Sequence, residues 1–153
     1  MTSKYKLLIL SFILLISCEK DDICIEGSDN TKKITIGFLD NETKNPKSIS
    51  LESVRGVDND SILEELTGNT IKLPLRVNKN KTTYIMKFNS IEDTLEINHF
   101  SIHKYLNRSC GFISNFLLKS STEISKNSGW IKEVSIENDS IFNEEKTNIY
   151  IHF

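Results

Sequence analysis

The stretch TIKLPLRVNKNKTTYIMKF, residues 70–88, decides the fold class. Every second residue of its first part, 71–77, is apolar, which is the period of a strand with one buried face. Residues 78–81, NKNK, predict a hairpin-type loop, and residues 82–88 resume the alternation as the pairing strand. Pro74 has no backbone N–H to donate, so the first strand is expected at a sheet edge or at a bulge.

Further strand-like segments lie on both sides of this predicted hairpin, at residues 34–38, 110–118, 130–136 and 149–153. The chain contains no alanine and no glutamine, so strong helix formers are scarce. About seven short strands, separated by turns at intervals of roughly ten residues, predict an all-β fold. The expected architecture is a two-sheet antiparallel sandwich, immunoglobulin-like or similar.

The first 17 residues have the layout of a bacterial signal peptide. Lys4 and Lys6 precede LLILSFILLI, residues 7–16, which carries no charge. A helix needs about 20 apolar residues to cross the hydrocarbon core, so this run is too short for a stable span. The charge cluster at residues 19–22 argues against the alternative of a buried strand or core helix.

The segment Leu15-Ile16-Ser17-Cys18 resembles the bacterial lipobox, in which a small residue precedes a cysteine that receives a diacylglycerol. The resemblance implies acylation of Cys18, and membrane lipid is therefore an expected partner. It sets the expected boundaries at 1–17 for the signal peptide, 18–32 for the lipidated N-terminus and tether, and 33–153 for the β-sandwich domain. Two or more acyl chains give stable anchoring where one does not.

Charge and length limit the possible partners of the mature chain. Removal of residues 1–17 takes away two lysines and leaves 17 basic and 21 acidic residues, a net charge of −4 with histidine neutral. No basic run interleaved with aromatic residues appears, so nucleic acid is not an expected partner. The remaining 136 residues (153 minus 17) suffice for one domain with its own core.

Cys24 and Cys110 form an even pair once Cys18 is acylated. In an exported chain such a pair predicts a disulfide. The two positions are 86 residues apart (110 minus 24), and a bridge over such a loop contributes about 4 kcal/mol in the chain-entropy model. A metal pair and a reactive thiol are the alternatives, but no further Cys or His lies at ligand spacing near Cys24.

Neither of two possible metal sites is favoured, and no cofactor is expected. His99 and His103 have the spacing of ligands on a helix, but the pattern around them is that of a strand, and surface or edge positions are expected for both. Oxygen ligands for calcium are offered by Asp58, Asp60 and Glu64 or Glu65. That segment lacks the glycine of an EF-hand loop, so a solvated acidic turn is expected.

No catalytic motif is visible in the sequence. There is no serine in a glycine-flanked elbow and no glycine-rich loop before a helix. A catalytic carboxylate pair assembled from distant strands stays open as an alternative. Trp130, Tyr84 and Phe112 offer a ligand groove, although aromatic residues in strand phase are usually part of the core.

Three Asp–hydroxyl–apolar triplets resemble the O-glycosylation triplet of Bacteroidota. They begin at Asp60, Asp93 and Asp139 and give the candidate acceptor residues Ser61, Thr94 and Ser140. The triplets lie at loops or strand edges of the predicted fold. Modification at these three positions is therefore an expectation carried by the resemblance.

The segments CEKDDIC, residues 18–24, and RSCGF, residues 108–112, with Trp130 and the alternating C-terminal strand, resemble a family of short Bacteroidota lipoproteins of unknown function. The resemblance covers nearly all of the mature chain. It implies the same pairing of Cys24 with Cys110. It implies no activity.

These observations favour a non-enzymatic outer-membrane lipoprotein that acts as a binding or accessory module for an envelope protein or glycan. The alternative is a hydrolase that acts on envelope material. Lys20, Asp21 and Asp22 resemble a Bacteroidota surface-export signal, so exposure on the cell surface is expected. The alternatives are a solvated, extended tether and an anchor that faces the periplasm.

Overall fold

The computed structural model describes residues 24, 29–58, 62–120, 123–124 and 129–153. Within these ranges the chain forms eleven β-strands. Their bounds are β1 Lys33–Leu39, β2 Ile49–Gly56, β3 Ile62–Gly68, β4 Thr70–Pro74, β5 Lys81–Phe88, β6 Ile91–Asn107, β7 Gly111–Leu118, β8 Glu123–Ile124, β9 Glu133–Ile136, β10 Ser140–Ile141 and β11 Ile149–His152. The same ranges hold no helix that is long and apolar enough to cross a bilayer.

The strands form two sheets, which confirms the predicted all-β sandwich. The smaller sheet has the order β4-β1-β11-β9. The larger has the order β10-β7-β6-β5-β2-β3, and β8 pairs with β6. The pair β1 and β11 is parallel, with Ile36 opposite Ile149, whereas the other pairings with a defined register are antiparallel.

The core lies between the two sheets because alternate residues of both sheets point inward. Ile34, Ile36 and Phe38 of β1 are buried from the smaller sheet. The larger sheet contributes buried residues of β2, β5, β6, β7 and β10: Ile49, Leu51, Val54, Tyr84, Met86, Leu95, Ile97, Phe116, Leu118 and Ile141. A single apolar cluster therefore joins the two sheets.

The predicted hairpin across residues 78–81 is wrong. β4 pairs with β1, whereas β5 pairs with β2 and β6, so the two strands belong to different sheets. Because Pro74 ends β4 and cannot donate a ladder hydrogen bond, the chain leaves the smaller sheet at this point and crosses to the larger one. The expectation that Pro74 lies on an edge strand is confirmed, since β4 ends the order of the smaller sheet.

The described chain divides into two compact units. The larger unit comprises Asn30–Lys104 and Ile113–Phe153, and the core cluster lies in it. The smaller unit includes Cys24, Asp29 and Tyr105–Phe112.

In the smaller unit a disulfide joins Cys24 to Cys110, with a Cα–Cα distance of 4.9 Å. The predicted pairing is therefore confirmed. The side-chain oxygen of Asn107 accepts hydrogen bonds from the backbone N–H groups of Ser109 and Cys110, at 3.0 and 2.7 Å. An asparagine that bonds its own following backbone in this way stabilises a tight turn.

Candidate functional site: a cation-rimmed cleft between the sheets

A cleft of about 400 Å³ opens in the larger unit between two edge strands, β3 of the larger sheet and β4 of the smaller. Among the strands that the structure describes, each of these two has a partner on one side only, so no described pairing closes the sandwich here. Among the described residues, the lining combines apolar side chains, three cations and three hydroxyl groups. Concave apolar surface with a few converging polar groups is the usual form of a small-molecule site.

The apolar part of the lining comes from both sheets. Val54 of β2, Leu75 after β4 and Tyr84 of β5 are buried. Leu63 of β3 also lines the cleft and is 42% exposed. The cleft therefore offers apolar surface both at depth and along its β3 side.

Tyr84 connects the two sheets at the cleft. Its hydroxyl donates a hydrogen bond to the backbone carbonyl of Pro74, the last residue of β4. Burial raises the pKa of Tyr84, and the nearby positive charge of Arg76 opposes this only in part. The hydroxyl therefore stays protonated and keeps its role as donor.

Lys33 and Lys72 approach the cleft from the smaller sheet and share one carboxylate, that of Glu144. The ammonium of Lys72 lies 3.4 Å from one carboxylate oxygen, and the backbone N–H of Lys33 donates to the other at 3.0 Å. Burial raises the pKa of Glu144, but these two donors outweigh burial and leave the pKa below its ordinary value. Glu144 is therefore ionised at neutral pH and partly balances both lysines.

Arg76 is the third cation and is fixed more firmly. Its guanidinium donates to the backbone carbonyls of Val57 and Asp58, at 3.0 and 2.9 Å, and lies 3.6 Å from the Asp58 carboxylate. The Asp58 side chain is 69% exposed, and such exposed ion pairs contribute only about 0–1 kcal/mol. The ion pair with Asp58 is therefore weak enough for an anionic ligand to compete with it.

A buried polar chain runs from Arg76 into the core. The backbone N–H of Arg76 donates to the Thr82 hydroxyl at 2.9 Å, and this hydroxyl lies 2.8 Å from His99 Nε2. His99 is fully buried, and burial, with the nearby Lys119 charge, lowers its pKa to about 4. The imidazole is therefore neutral at neutral pH. The expected surface or edge position of His99 is wrong, because the residue is buried and β6 lies between β7 and β5 in the larger sheet.

The lining of the cleft contains no carboxylate among the described residues. A glycosidase needs two, one on each side of the scissile bond. The described part of the cleft therefore has groups that can bind an anion and shows no carboxylate pair of the kind that glycoside hydrolysis uses.

A serine–histidine pair occurs elsewhere in the larger unit but is wrongly arranged for catalysis. Ser135 Oγ lies 3.1 Å from His152 Nε2, and the ammonium of Lys44 lies 3.4 Å from Nδ1. An ammonium can only donate, so Nδ1 accepts and the ring proton is on Nε2. In this arrangement His152 donates to Ser135, which is the reverse of the serine-to-histidine bond of a catalytic pair.

The described residues contain no group of three or more His, Cys, Asp or Glu that could hold a metal ion. His103 Nδ1 lies 2.9 Å from the Ser114 hydroxyl. Asp58, one of the candidate calcium ligands, faces Arg76 and Lys79, at 3.6 and 3.8 Å. Asp60 lies outside the described residues, while Glu64 and Glu65 lie on β3.

The other predicted site residues stay predictions. Cys18, Lys20, Asp21, Asp22 and Ser61 lie outside the described residues. Thr94 is half-buried in β6 opposite Ile85. Ser140 is half-buried in β10, and its hydroxyl donates to the Asn138 side chain at 3.0 Å.

Of the aromatic residues considered for a ligand groove, only Tyr84 lines the cleft. Trp130 is 6% exposed and packs in the core against Phe88 and Phe153, with ring centroids 5.5 and 6.0 Å away. Phe112 belongs to the smaller unit and is 69% exposed.

The cleft was not predicted, because the apolar alternation of residues 71–77 describes only one face of the strand. The other face carries Lys72, Pro74 and Arg76, and all three line the cleft. The available signal for the cleft was the pair of cations, Lys72 and Arg76, that flank a proline expected on an edge strand.

A family model described as "Family of unknown function (DUF6452)" matches residues 51–153, more than half of the chain. The match includes the RSCGF segment, residues 108–112, and leaves CEKDDIC, residues 18–24, outside. Comparisons with curated proteins and with solved structures gave no match.

Proposed function

Because the chain belongs to the DUF6452 family, whose function is unknown, we propose its role from the cleft and from the N-terminal sequence. The protein is a lipid-anchored, non-enzymatic binding module of the bacterial envelope, and its ligand is an acidic glycan. One observation supports this choice of ligand: the cleft combines apolar surface with the cations Lys33, Lys72 and Arg76. Sugars offer apolar C–H faces as well as hydroxyls, and an acidic group adds the charge that these cations match.

The composition of the cleft supports binding over hydrolysis. The described lining has three cations and no carboxylate, and this charge favours the binding of an anion. Arg76 is oriented by two backbone carbonyls, and such preorganisation reduces the entropy lost when a ligand binds. An acidic segment of an envelope protein would satisfy the same cations, and the experiment below separates the two ligands.

The anchoring part of the proposal rests on the N-terminal sequence. The lipobox-like segment that ends at Cys18 supports acylation, and residues 20–22 support export to the outer face of the outer membrane. The Cys24–Cys110 disulfide supports an oxidising compartment outside the cytoplasm. The CEKDDIC and RSCGF segments support placement among Bacteroidota lipoproteins.

An NMR titration of the mature chain tests the ligand. Carboxylated, sulfated and phosphorylated oligosaccharides are compared with neutral oligosaccharides of the same length and with an acidic peptide. We expect the acidic sugars to shift the backbone amides of Leu75, Arg76 and residues 82–84, because these residues line the cleft. If only the peptide shifts these amides, the glycan proposal is wrong and the ligand is an acidic protein segment. If no probe shifts them, the cleft is not a binding site for these ligands.

A further inference from the structure

The smaller unit presents an exposed aromatic pair beside its disulfide. Tyr105 and Phe112 are 56% and 69% exposed, and their ring centroids lie 5.1 Å apart. Phe112 follows Cys110 by two residues, and Cys110 is bonded to Cys24. Two adjacent exposed aromatic rings form an apolar surface that a protein or a lipid layer could cover.

We infer that Tyr105 and Phe112 rest in the headgroup layer of the membrane and that the Cys24–Cys110 disulfide holds them there. The inference deepens the proposed function and rests on its acylation of Cys18. The occupant is a lipid surface, because the pair is covalently close to the proposed acyl chains.

The disulfide shortens the covalent path between the anchor and the aromatic pair. Along the chain, Phe112 lies 94 positions after Cys18 (112 minus 18). The path through the disulfide is much shorter. It runs six residues from Cys18 to Cys24, crosses a Cα–Cα distance of 4.9 Å to Cys110, and continues two residues to Phe112. Because an extended residue spans at most about 3.6 Å, the six-residue tether reaches at most about 22 Å.

The chemistry of the pair matches the membrane interface. Tyrosine has an apolar ring with a polar hydroxyl and concentrates at the level of the headgroups, and an adjacent phenylalanine adds apolar area. A short tether also gives the pair a high effective concentration at the bilayer, so even a weak intrinsic affinity for lipid suffices to keep it bound.

Fluorescence quenching by lipid-borne bromine tests this contact. The unchanged chain has one tryptophan, Trp130, which is 6% exposed in the larger unit and reports the background. The Phe112→Trp variant adds a reporter at the proposed contact.

Both lipoproteins are purified from bacterial membranes and placed in phosphatidylcholine–phosphatidylglycerol vesicles, with or without bromine on the upper acyl carbons. Mass spectrometry first establishes whether Cys18 carries acyl chains.

We expect roughly a twofold loss of the added emission in brominated vesicles, because the interface is the preferred position of the indole ring. The emission of the unchanged protein stays constant. A second variant, Phe112→Trp with Cys24→Ser and Cys110→Ser, should lose most of this quenching while the emission of Trp130 reports that the larger unit is still folded.

The two proposals fail in distinguishable ways. If mass spectrometry finds no acyl chains on Cys18, the proposed lipid anchor is wrong, and the membrane contact that depends on it is wrong as well. An acylated Phe112→Trp protein whose added emission is unquenched contradicts the membrane contact alone. Equal quenching with and without the disulfide contradicts the role given to the bridge.

Discussion

The hydroxyl of Tyr84 donates a hydrogen bond to the backbone carbonyl of Pro74 and so joins the larger sheet to the smaller one at the cleft. Pro74 ends an edge strand and lacks an N–H of its own, so its carbonyl is the only backbone hydrogen-bonding group that it offers. The cleft between β3 and β4 is therefore bounded on one side by a direct polar link between the sheets.

Tyr84→Phe removes this link and should lower the free energy of unfolding by about 1–2 kcal/mol, because a partly buried carbonyl loses its partner. Urea denaturation measures the change, and the slope with denaturant should stay the same. Tyr105→Phe is the matched control, since Tyr105 is 56% exposed and surface changes usually stay within about 0.5 kcal/mol. Equal losses in the two variants would contradict the role of the Tyr84–Pro74 bond.

Buried His99 should make stability depend on pH. Its pKa is about 4 in the folded chain, against about 6.5 when unfolded. Between these values the unfolded chain binds a proton that the folded chain does not, so stability is complete above about pH 6.5 and falls as the pH is lowered towards 4. Between about pH 7 and pH 5 the expected loss is on the order of 2 kcal/mol.

Urea denaturation at both pH values, for the unchanged chain and for His99→Gln, measures this dependence. Glutamine keeps a hydrogen-bonding group near Thr82 but does not titrate. The variant should lose markedly less stability than the unchanged chain over this interval, whatever its stability at neutral pH. The same pH dependence in both proteins would assign it to other groups.

The Cys24–Cys110 disulfide should stabilise the chain by constraining its unfolded state. Thiol labelling of the denatured, unreduced mature protein should modify neither cysteine. Cys24→Ser combined with Cys110→Ser should lower the free energy of unfolding by up to about 4 kcal/mol in the chain-entropy model. Labelling of both thiols in the unreduced protein would contradict the bridge.

Local pattern was sufficient for the fold class but not for the connections between strands. Alternation within residues 70–88 predicts strands, and Pro74 predicts an edge; both follow from the backbone chemistry of single residues. The separation of β4 and β5 into different sheets, and the parallel pairing of β1 with β11, depend on contacts between distant parts of the chain. A short loop between two alternating segments is equally compatible with a hairpin and with a crossing between sheets.

The site was less predictable than the fold. Cysteine counting predicts the bridge from Cys24 to Cys110, because exported thiols tend to pair. The cleft needs Lys33 of β1, Arg76 after β4 and Tyr84 of β5 to come together, and no spacing rule joins them. The position of His99 was predicted wrongly because histidine is usually found at the polar surface. His99 lies two residues after buried Ile97 on β6, so both side chains point to the same, inner face of the sheet.

The most direct test of the central claim is calorimetric titration of charge variants with the acidic oligosaccharide that gives the largest NMR shifts. Lys33→Gln with Lys72→Gln removes two cations of the cleft. Lys81→Gln with Lys87→Gln removes two ion-paired lysines of β5, one exposed and one half-buried, that are not part of the described lining. Both double variants therefore have the same net charge. We predict that the cleft variant loses about tenfold in affinity, about 1.4 kcal/mol, while the control changes less than about twofold. Equal losses in both variants, or none in the cleft variant, would contradict the cleft as the site that binds acidic glycans.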